Sequence, residues 1–291
     1  MIDETAGEIS EMQTHSSSVV AVKAANALRT VTEREYPTVD EYRRALERNS
    51  SALRRANPSH ASLHNTQRRI VETVVSADAD TVDEAKAVTR ETIVAVIDSV
   101  ERGKDRASRE AAELLVDDSV LLTHDYSTTV LSAIEHAVDA GHEFTVYVTE
   151  SRPRFLGRKM ARSLATYDAV ETKLIVDSAA GHYLAECDRL VVGMTCIADG
   201  HLYNRIGTYP LAVTATDQHV PVTTVGSAAK IIDGGFRFEN EYRVASEVMR
   251  EPADGFSVEN PVYDATPVRL LDAVVTDQGL LDPAALGETG Q

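Results

Sequence analysis

From about Asp117 onward the chain alternates short β-branched runs, SVLLTH, FTVYVTES, TKLIVD, RLVVG and PVTTVG, with helix-like segments such as STTVLSAIEHAVDAG, RFLGRKMARSLATY and YPLAVTATDQH. This alternation constrains the fold more than any other feature. Parallel neighbours need crossover connections, and crossovers place helices on both faces of one mostly parallel sheet. Before that point, from Ile9 to about Ala112, the pattern is helical. SVVAVKAANALRTV sets Val19, Val22, Ala25 and Leu28 on one face, and Thr38 and Asp40 stand as caps for VDEYRRALERNSSALRRA. Thr81 to Leu115 reads as a long helix with Gly103 as its one breaker. The expectation is an α/β chain, a helical domain over 1–112 followed by a mostly parallel sheet domain over 113–291. The apolar stripes of the helices read as packing surface.

Ligands in such sheets gather at the carboxyl ends of strands, so the residues after each run carry the functional reading. After VLL come Thr123, His124, Asp125, Tyr126 and Ser127. His124 and Asp125 are neighbours on an extended segment, point to opposite sides and form no dyad with each other. After VYVT come Glu150, Ser151, Arg152 and Pro153, where Ser151 can cap the next helix and Arg152 can meet an anion. RLVVG leads through Met194, Thr195 and Cys196 to Asn204, Arg205, Ile206, Gly207 and Thr208. Gly207 and Thr208 make a helix entry with free N–H groups, while Asn204 and Arg205 offer donors to a phosphate or carboxylate. Cys196 reads as a small core or turn residue. There is no GxGxxG, no GxxxxGK[ST] and no HExxH, and His60 and His64, four apart, read as cap and surface positions. No cofactor and no metal are expected.

Composition limits the partners. Against 46 acidic side chains stand 29 basic ones, a net charge of -17, which excludes a broad nucleic-acid surface but not a small anion pocket. The arginine pairs at 43–44, 54–55 and 68–69 read as solvated helix faces. The cations divide into 6 Lys and 23 Arg, and few lysines among many carboxylates read as adaptation to high salt, where screening makes self-repulsion cheap. Cys187 and Cys196 are too few for a disulfide framework or a structural zinc site. No apolar run reaches the length of about 20 residues that spans a bilayer, and MIDETAGEIS lacks a signal-peptide pattern, so a cytoplasmic protein without membrane partners is expected.

THDYSTTVLSAIEHA, FTVYVTESRP, the segment Asp177 to Gly181, NRIGTYPLA and NPVYDATPVRLLDAVVTDQGLL occur in an order that resembles the alpha, beta and delta-type subunits of translation initiation factor 2B. Their superfamily also holds ribose-1,5-bisphosphate and methylthioribose-1-phosphate isomerases. SSVVAVKAANAL and RANPSHASLHNTQRR extend the likeness more weakly into the helical half. The resemblance implies a Rossmann-like sheet domain that assembles the chain into a homodimer or larger homo-oligomer. It also implies a phosphate pocket to which Arg152, Asn204 and Arg205 correspond, and with the helix entry at Gly207 and Thr208 these make up the candidate phosphate-binding residues. The isomerases of the superfamily use a Cys after the Thr-His strand end and an Asp in a Gly-Ala-Asp segment. Here Asp125 and Thr195 stand at those positions. Two arginines of the family's phosphate site are replaced as well, at His15-Ser16-Ser17 and at Asn57. These departures lead to the expectation of a non-catalytic regulatory or scaffolding protein of translation initiation that senses a phosphorylated metabolite. The alternative is a sugar-phosphate isomerase in which Asp125 takes the proton and His124 or Cys196 returns it.

Overall fold

A computed structural model describes residues 2–11, 17–58, 60–232, 236, 238–252 and 254–287. The chain forms two compact units, 1–103 and 104–291. The division falls inside the last long helix, nine residues before its end at Ala112.

The first unit is helical: α1 (Ile2–Glu11), α2 (Ser17–Ala27), α3 (Arg29–Thr32), α4 (Val39–Ala56), α5 (Ala61–Ser76) and the greater part of α6 (Val82–Ala112). Thr38 caps α4, its Oγ1 accepting from the Glu41 N–H at 3.2 Å, whereas Asp40 lies in the first turn and favours the helix through its charge. Tyr42, Leu46, Leu53, Leu63 and Ile70 fill the core, and the Tyr42 hydroxyl donates to Thr89 Oγ1 at 2.6 Å, so the one polar atom of that ring is satisfied. The buried face of α2 differs from the sequence expectation. Val20, Ala21, Ala24, Ala25 and Leu28 are buried while Val19 is 49% exposed. The small alanines line the side that packs on α5 and permit the closer approach, so the stripe turns by about one residue.

The second unit holds β1 (Ser119–Thr123), α7 (Thr128–Asp139), β2 (Phe144–Thr149), α8 (Leu156–Leu164), β3 (Val170–Ile175), α9 (Ala180–Leu184), β4 (Arg189–Gly193), β5 (Cys196–Ala198), β6 (His201–Arg205), α10 (Thr208–Asp217), β7 (Val222–Val225), β8 (Ile231–Ile232), β9 (Tyr263–Pro267), β10 (Ala273–Thr276) and β11 (Gly279–Leu281). Seven strands form one sheet in the order β11-β10-β7-β4-β1-β2-β3, all parallel except β11. Both faces are covered. Leu122, Leu190, Val192 and Val274 belong to one core, and their neighbours Leu121, Val191 and Val275 to the other. That explains why these strands read as continuous apolar runs.

The chain leaves β1 toward β2 and β3 on one side, and β4 leads to β7 and β10 on the other. The order therefore reverses between β1 and β4, and the crevice outside their carboxyl ends is the switch point where ligands of such sheets bind. A second sheet, β8-β5-β6-β9, stands beside it. Its β5–β6 hairpin turns at Asp199 and Gly200, both left-handed (φ 47° and 70°), the backbone that an Asp-Gly pair favours in a two-residue turn. Among the described residues no helix is long and apolar enough to cross a membrane.

Candidate functional site

At the end of β1 the chain turns sharply. Asp125 has φ 64°, and Ser151, two residues past β2, has φ 60°. Non-glycine residues in this region cost on the order of 1 kcal/mol each and persist only where surrounding contacts hold them. Here those contacts are mutual. The Asp125 N–H donates to Ser151 Oγ at 2.8 Å, while the N–H groups of Ser151 and Arg152 donate to the two oxygens of Asp177 at 2.8 and 2.7 Å. Ser151 thus locks two strand ends together and does not cap α8, whose first turn follows Phe155 with no side-chain cap.

His124 is a latch. Its Nε2 bonds the Ile206 carbonyl at 2.8 Å and its Nδ1 lies 2.6 Å from Thr149 Oγ1. A carbonyl only accepts, so Nε2 carries a proton, and Nδ1 is engaged by the threonine hydroxyl. With both nitrogens committed and the residue 3% exposed, His124 has no free nitrogen to offer a substrate. Gly207 makes room for it: a Cβ there would stand 2.8 Å from the imidazole, and its φ is 108°.

Asp125 is different. Its side chain keeps 11% of its surface and its Oδ2 meets Arg205 Nε at 3.1 Å. The opposite corner of the guanidinium, Nη1, is buried with no hydrogen-bond partner, and the group stacks on the Tyr263 ring at 4.9 Å from its centroid. Both residues line a cleft of about 320 Å3, counting its open mouth, together with Ser151, Arg152, Arg154 and Arg243. Arg243 is held by Glu241 at 2.9 Å and Glu247 at 2.8 Å, and Arg152 donates to the Val248 carbonyl at 3.1 Å.

Of the five candidate phosphate-binding residues two, Arg152 and Arg205, line this cleft. Asn204 and Thr208 are buried and bonded to each other at 3.1 Å. The entry to α10 is already occupied, because Asp264 Oδ2 accepts from the N–H groups of Gly207 at 2.8 Å and Tyr209 at 3.0 Å. Burial raises the Asp264 carboxyl above its ordinary range, and those two N–H bonds offset part of the rise. A carboxylate of the chain stands where the sequence placed an external anion. His15 and Ser16 lie outside the described residues. Asn57 ends α4 and is buried. Among the described residues no three metal-ligating side chains converge.

Cys196 sits on β5, fully buried, and burial pushes its thiol up to about 12, so it is a core residue. Beside the switch point lies a group that motif reasoning missed. Lys230 follows β7, its Nζ donates to the Met194 carbonyl just past β4 at 2.7 Å, and burial brings its ammonium down to about 8. The sequence signal was available, a lysine four residues after the run PVTTVG. Arg154 was missed too, since it lies one turn beyond the strand end.

A helical unit followed by a doubly wound sheet, with a charged cleft near the switch point, defines a Rossmann-like α/β protein. The chain belongs to the Initiation factor 2 subunit family, whose model matches residues 13–283. It is 34% identical to the ribose 1,5-bisphosphate isomerase of Haloterrigena turkmenica, over 96% of this chain and 89% of that protein. It is 32% identical to the protein of the same name from Haloferax volcanii, over 98% and 90%. The Pyrococcus horikoshii OT3 translation initiation factor eIF-2B structure superposes with a TM-score of 0.79 at 24% identity, covering 98% of both chains, and shares the fold. These relatives overturn the expectation of a non-catalytic regulator of translation initiation. Both sequence relatives, aligned over nearly the whole length, are named as isomerases.

Proposed function

We propose that the protein is a sugar-phosphate isomerase of the ribose 1,5-bisphosphate type, converting a furanose phosphate to an open-chain ketose phosphate. The conversion breaks the bond between C1 and the ring oxygen. Hydrogens leave C2 and the C2 hydroxyl, and hydrogens arrive at the ring oxygen and C1, so nothing is oxidised or reduced overall. Such chemistry needs a base and an acid with separated proton affinities.

One observation carries the reading: the Asp125 carboxylate, partly open to the cleft, is aimed by Arg205 at 3.1 Å and by the backbone lock to Ser151. In this reading Asp125 takes the C2 proton. The buried Cys196 and the fully bonded His124 cannot return the proton. Arg205 holds the carboxylate and an anionic part of the substrate. The full-length similarity to proteins named ribose 1,5-bisphosphate isomerase supports the substrate class. The test is conversion of ribose 1,5-bisphosphate followed by 31P NMR in molar KCl, wild type beside Asp125→Ala. Formation of the ketose bisphosphate by the wild type alone supports the assignment, and absence of conversion by the wild type removes it.

A further inference from the structure

The second sheet builds an aromatic shelf under the Arg205 guanidinium. Arg205 and Tyr263 are directly opposed on the antiparallel β6–β9 pair, and Tyr203 faces Ala265 two positions along. Side chains two apart on a strand share a face, so these four residues occupy one side of the ribbon. The small Ala265 leaves room beside Tyr203, and Phe238 takes it: its ring stacks on Tyr203 with 4.1 Å between centroids and 15° between planes, and meets Tyr263 edge-on at 5.4 Å. Tyr263 in turn lies under the guanidinium, 4.9 Å from its ring centroid, while Arg205 Nε donates to Asp125 at 3.1 Å. The segment that brings Phe238 also clamps Tyr263 by its backbone. Asn240 Nδ2 donates to the Tyr263 carbonyl at 2.8 Å and Asn240 Oδ1 accepts from the Tyr263 N–H at 3.2 Å, so one amide side chain closes the outer edge of β9. Because both backbone groups of Tyr263 point outward, Arg205 and Tyr263 form a non-hydrogen-bonded pair, the kind whose side chains stand closer across the strands. Tyr263 is 3% exposed and is held at ring and backbone alike.

We propose that Tyr263, with Phe238 behind it, is a positioning residue that aims the Asp125 carboxylate through Arg205. An arginine side chain has many rotamers, and the ring opposite removes those that point away from the strand end. The ring face attracts the cation but offers it no acceptor in competition with the carboxylate, so the guanidinium is held in place while its Nε–H stays committed to Asp125. An aliphatic side chain at 263 would fill the space without attracting the cation, and a carboxylate there would draw the donor away. As a claim about the reaction the proposal rests on the isomerase reading; as a claim about how Arg205 is held it stands on the ring contacts alone.

Two readouts test it. The first needs no turnover: the Arg205 Hε resonance in 1H–15N spectra, assigned by its loss in Arg205→Gln. Tyr263→Leu is expected to remove the ring-current shift of this proton and to speed its exchange with water by about threefold to thirtyfold, the range of one cation–π contact. The second is conversion of ribose 1,5-bisphosphate by the same proteins. Tyr263→Leu is expected to lower kcat by about the same factor, and Tyr263→Phe, which keeps the ring, to restore most of that loss. In an Arg205→Gln background Tyr263→Leu is expected to cost no further kcat, because the ring then has no cation to hold, whereas a residue that only supports the fold costs the same in both backgrounds. Phe238→Leu, at a partly buried position, is measured alongside and carries the test if Tyr263→Leu does not fold, with the same pattern at smaller amplitude. An unchanged Arg205 resonance, an unchanged kcat, or an equal loss in both backgrounds overturns the proposal. If the resonance responds but the wild type converts no ribose 1,5-bisphosphate, the holding of Arg205 by the ring stands and the isomerase reading falls.

Discussion

Replacing Lys230 with methionine tests the physical state of the buried ammonium. In the folded protein this group loses its proton near 8 instead of at its ordinary 10.5, chiefly through burial. A lowered lysine means that the unfolded chain binds more protons than the native one between those two values, so wild-type stability rises with pH across that window. At about 1.36 kcal/mol per pH unit the rise amounts to on the order of 3 kcal/mol. Below pH 8 the native ammonium is charged and carries the full desolvation cost. Lys230→Met removes that cost but also leaves the Met194 carbonyl, now 2.7 Å from the ammonium, without its donor, a loss of about 1–2 kcal/mol. The variant is therefore expected to be more stable than wild type by about 1–2 kcal/mol at pH 7 and less stable by a similar amount near pH 10.5. Urea unfolding followed by far-UV circular dichroism in molar KCl measures both arms, and every group common to the two proteins cancels in the difference. Two stability curves that run parallel from pH 7 to 10.5 refute the reasoning, since they place the Lys230 proton affinity at its ordinary value.

Other substitutions probe the frame around the cleft. At Gly157 an added Cβ would run into the Thr149 carbonyl, a backbone atom of β2 that cannot yield, so Gly157→Ala should cost more than about 3 kcal/mol and appear as loss of soluble protein or a steep fall in Tm. Gly207→Ala combines a left-handed backbone with a Cβ 2.8 Å from the His124 ring; a loss of about 2–4 kcal/mol in urea unfolding is expected, and a neutral result would contradict the latch. Thr38→Ala removes the cap of α4 and should lower stability by about 1 kcal/mol, read in the same assay.

The parallel sheet was legible because its strands are buried on both faces and leave unbroken apolar runs, of which Leu121-Leu122 and Leu190-Val191-Val192 are clear cases. The short second sheet was not. Cys196–Ala198 and His201–Arg205 are strands of three and five residues that read as the approach to a helix, although the Asp199-Gly200 pair between them is a hairpin signal. That misreading placed Asn204 and Arg205 together at a helix entry, whereas alternation along β6 buries Asn204 and leaves Arg205 for the cleft. The capping of α10 by Asp264 could not be read from spacing, because the two partners are brought together by the β6–β9 pairing, 57 residues apart for Gly207. Lys230 and Arg154 carry no motif. Their chemistry comes from burial without a carboxylate, which only the folded chain reveals.

The central claim is that Asp125 moves a proton of a sugar phosphate, and steady-state conversion of ribose 1,5-bisphosphate by wild type and Asp125→Asn tests it most directly. The isosteric amide keeps the contact with Arg205 but cannot take a proton. The account predicts turnover by the wild type and a fall in kcat of about a hundredfold to ten-thousandfold in the variant, the range of a lost general base, with KM changed by no more than about threefold. A variant that keeps the wild-type kcat, or a wild type that leaves the substrate unconverted, contradicts it.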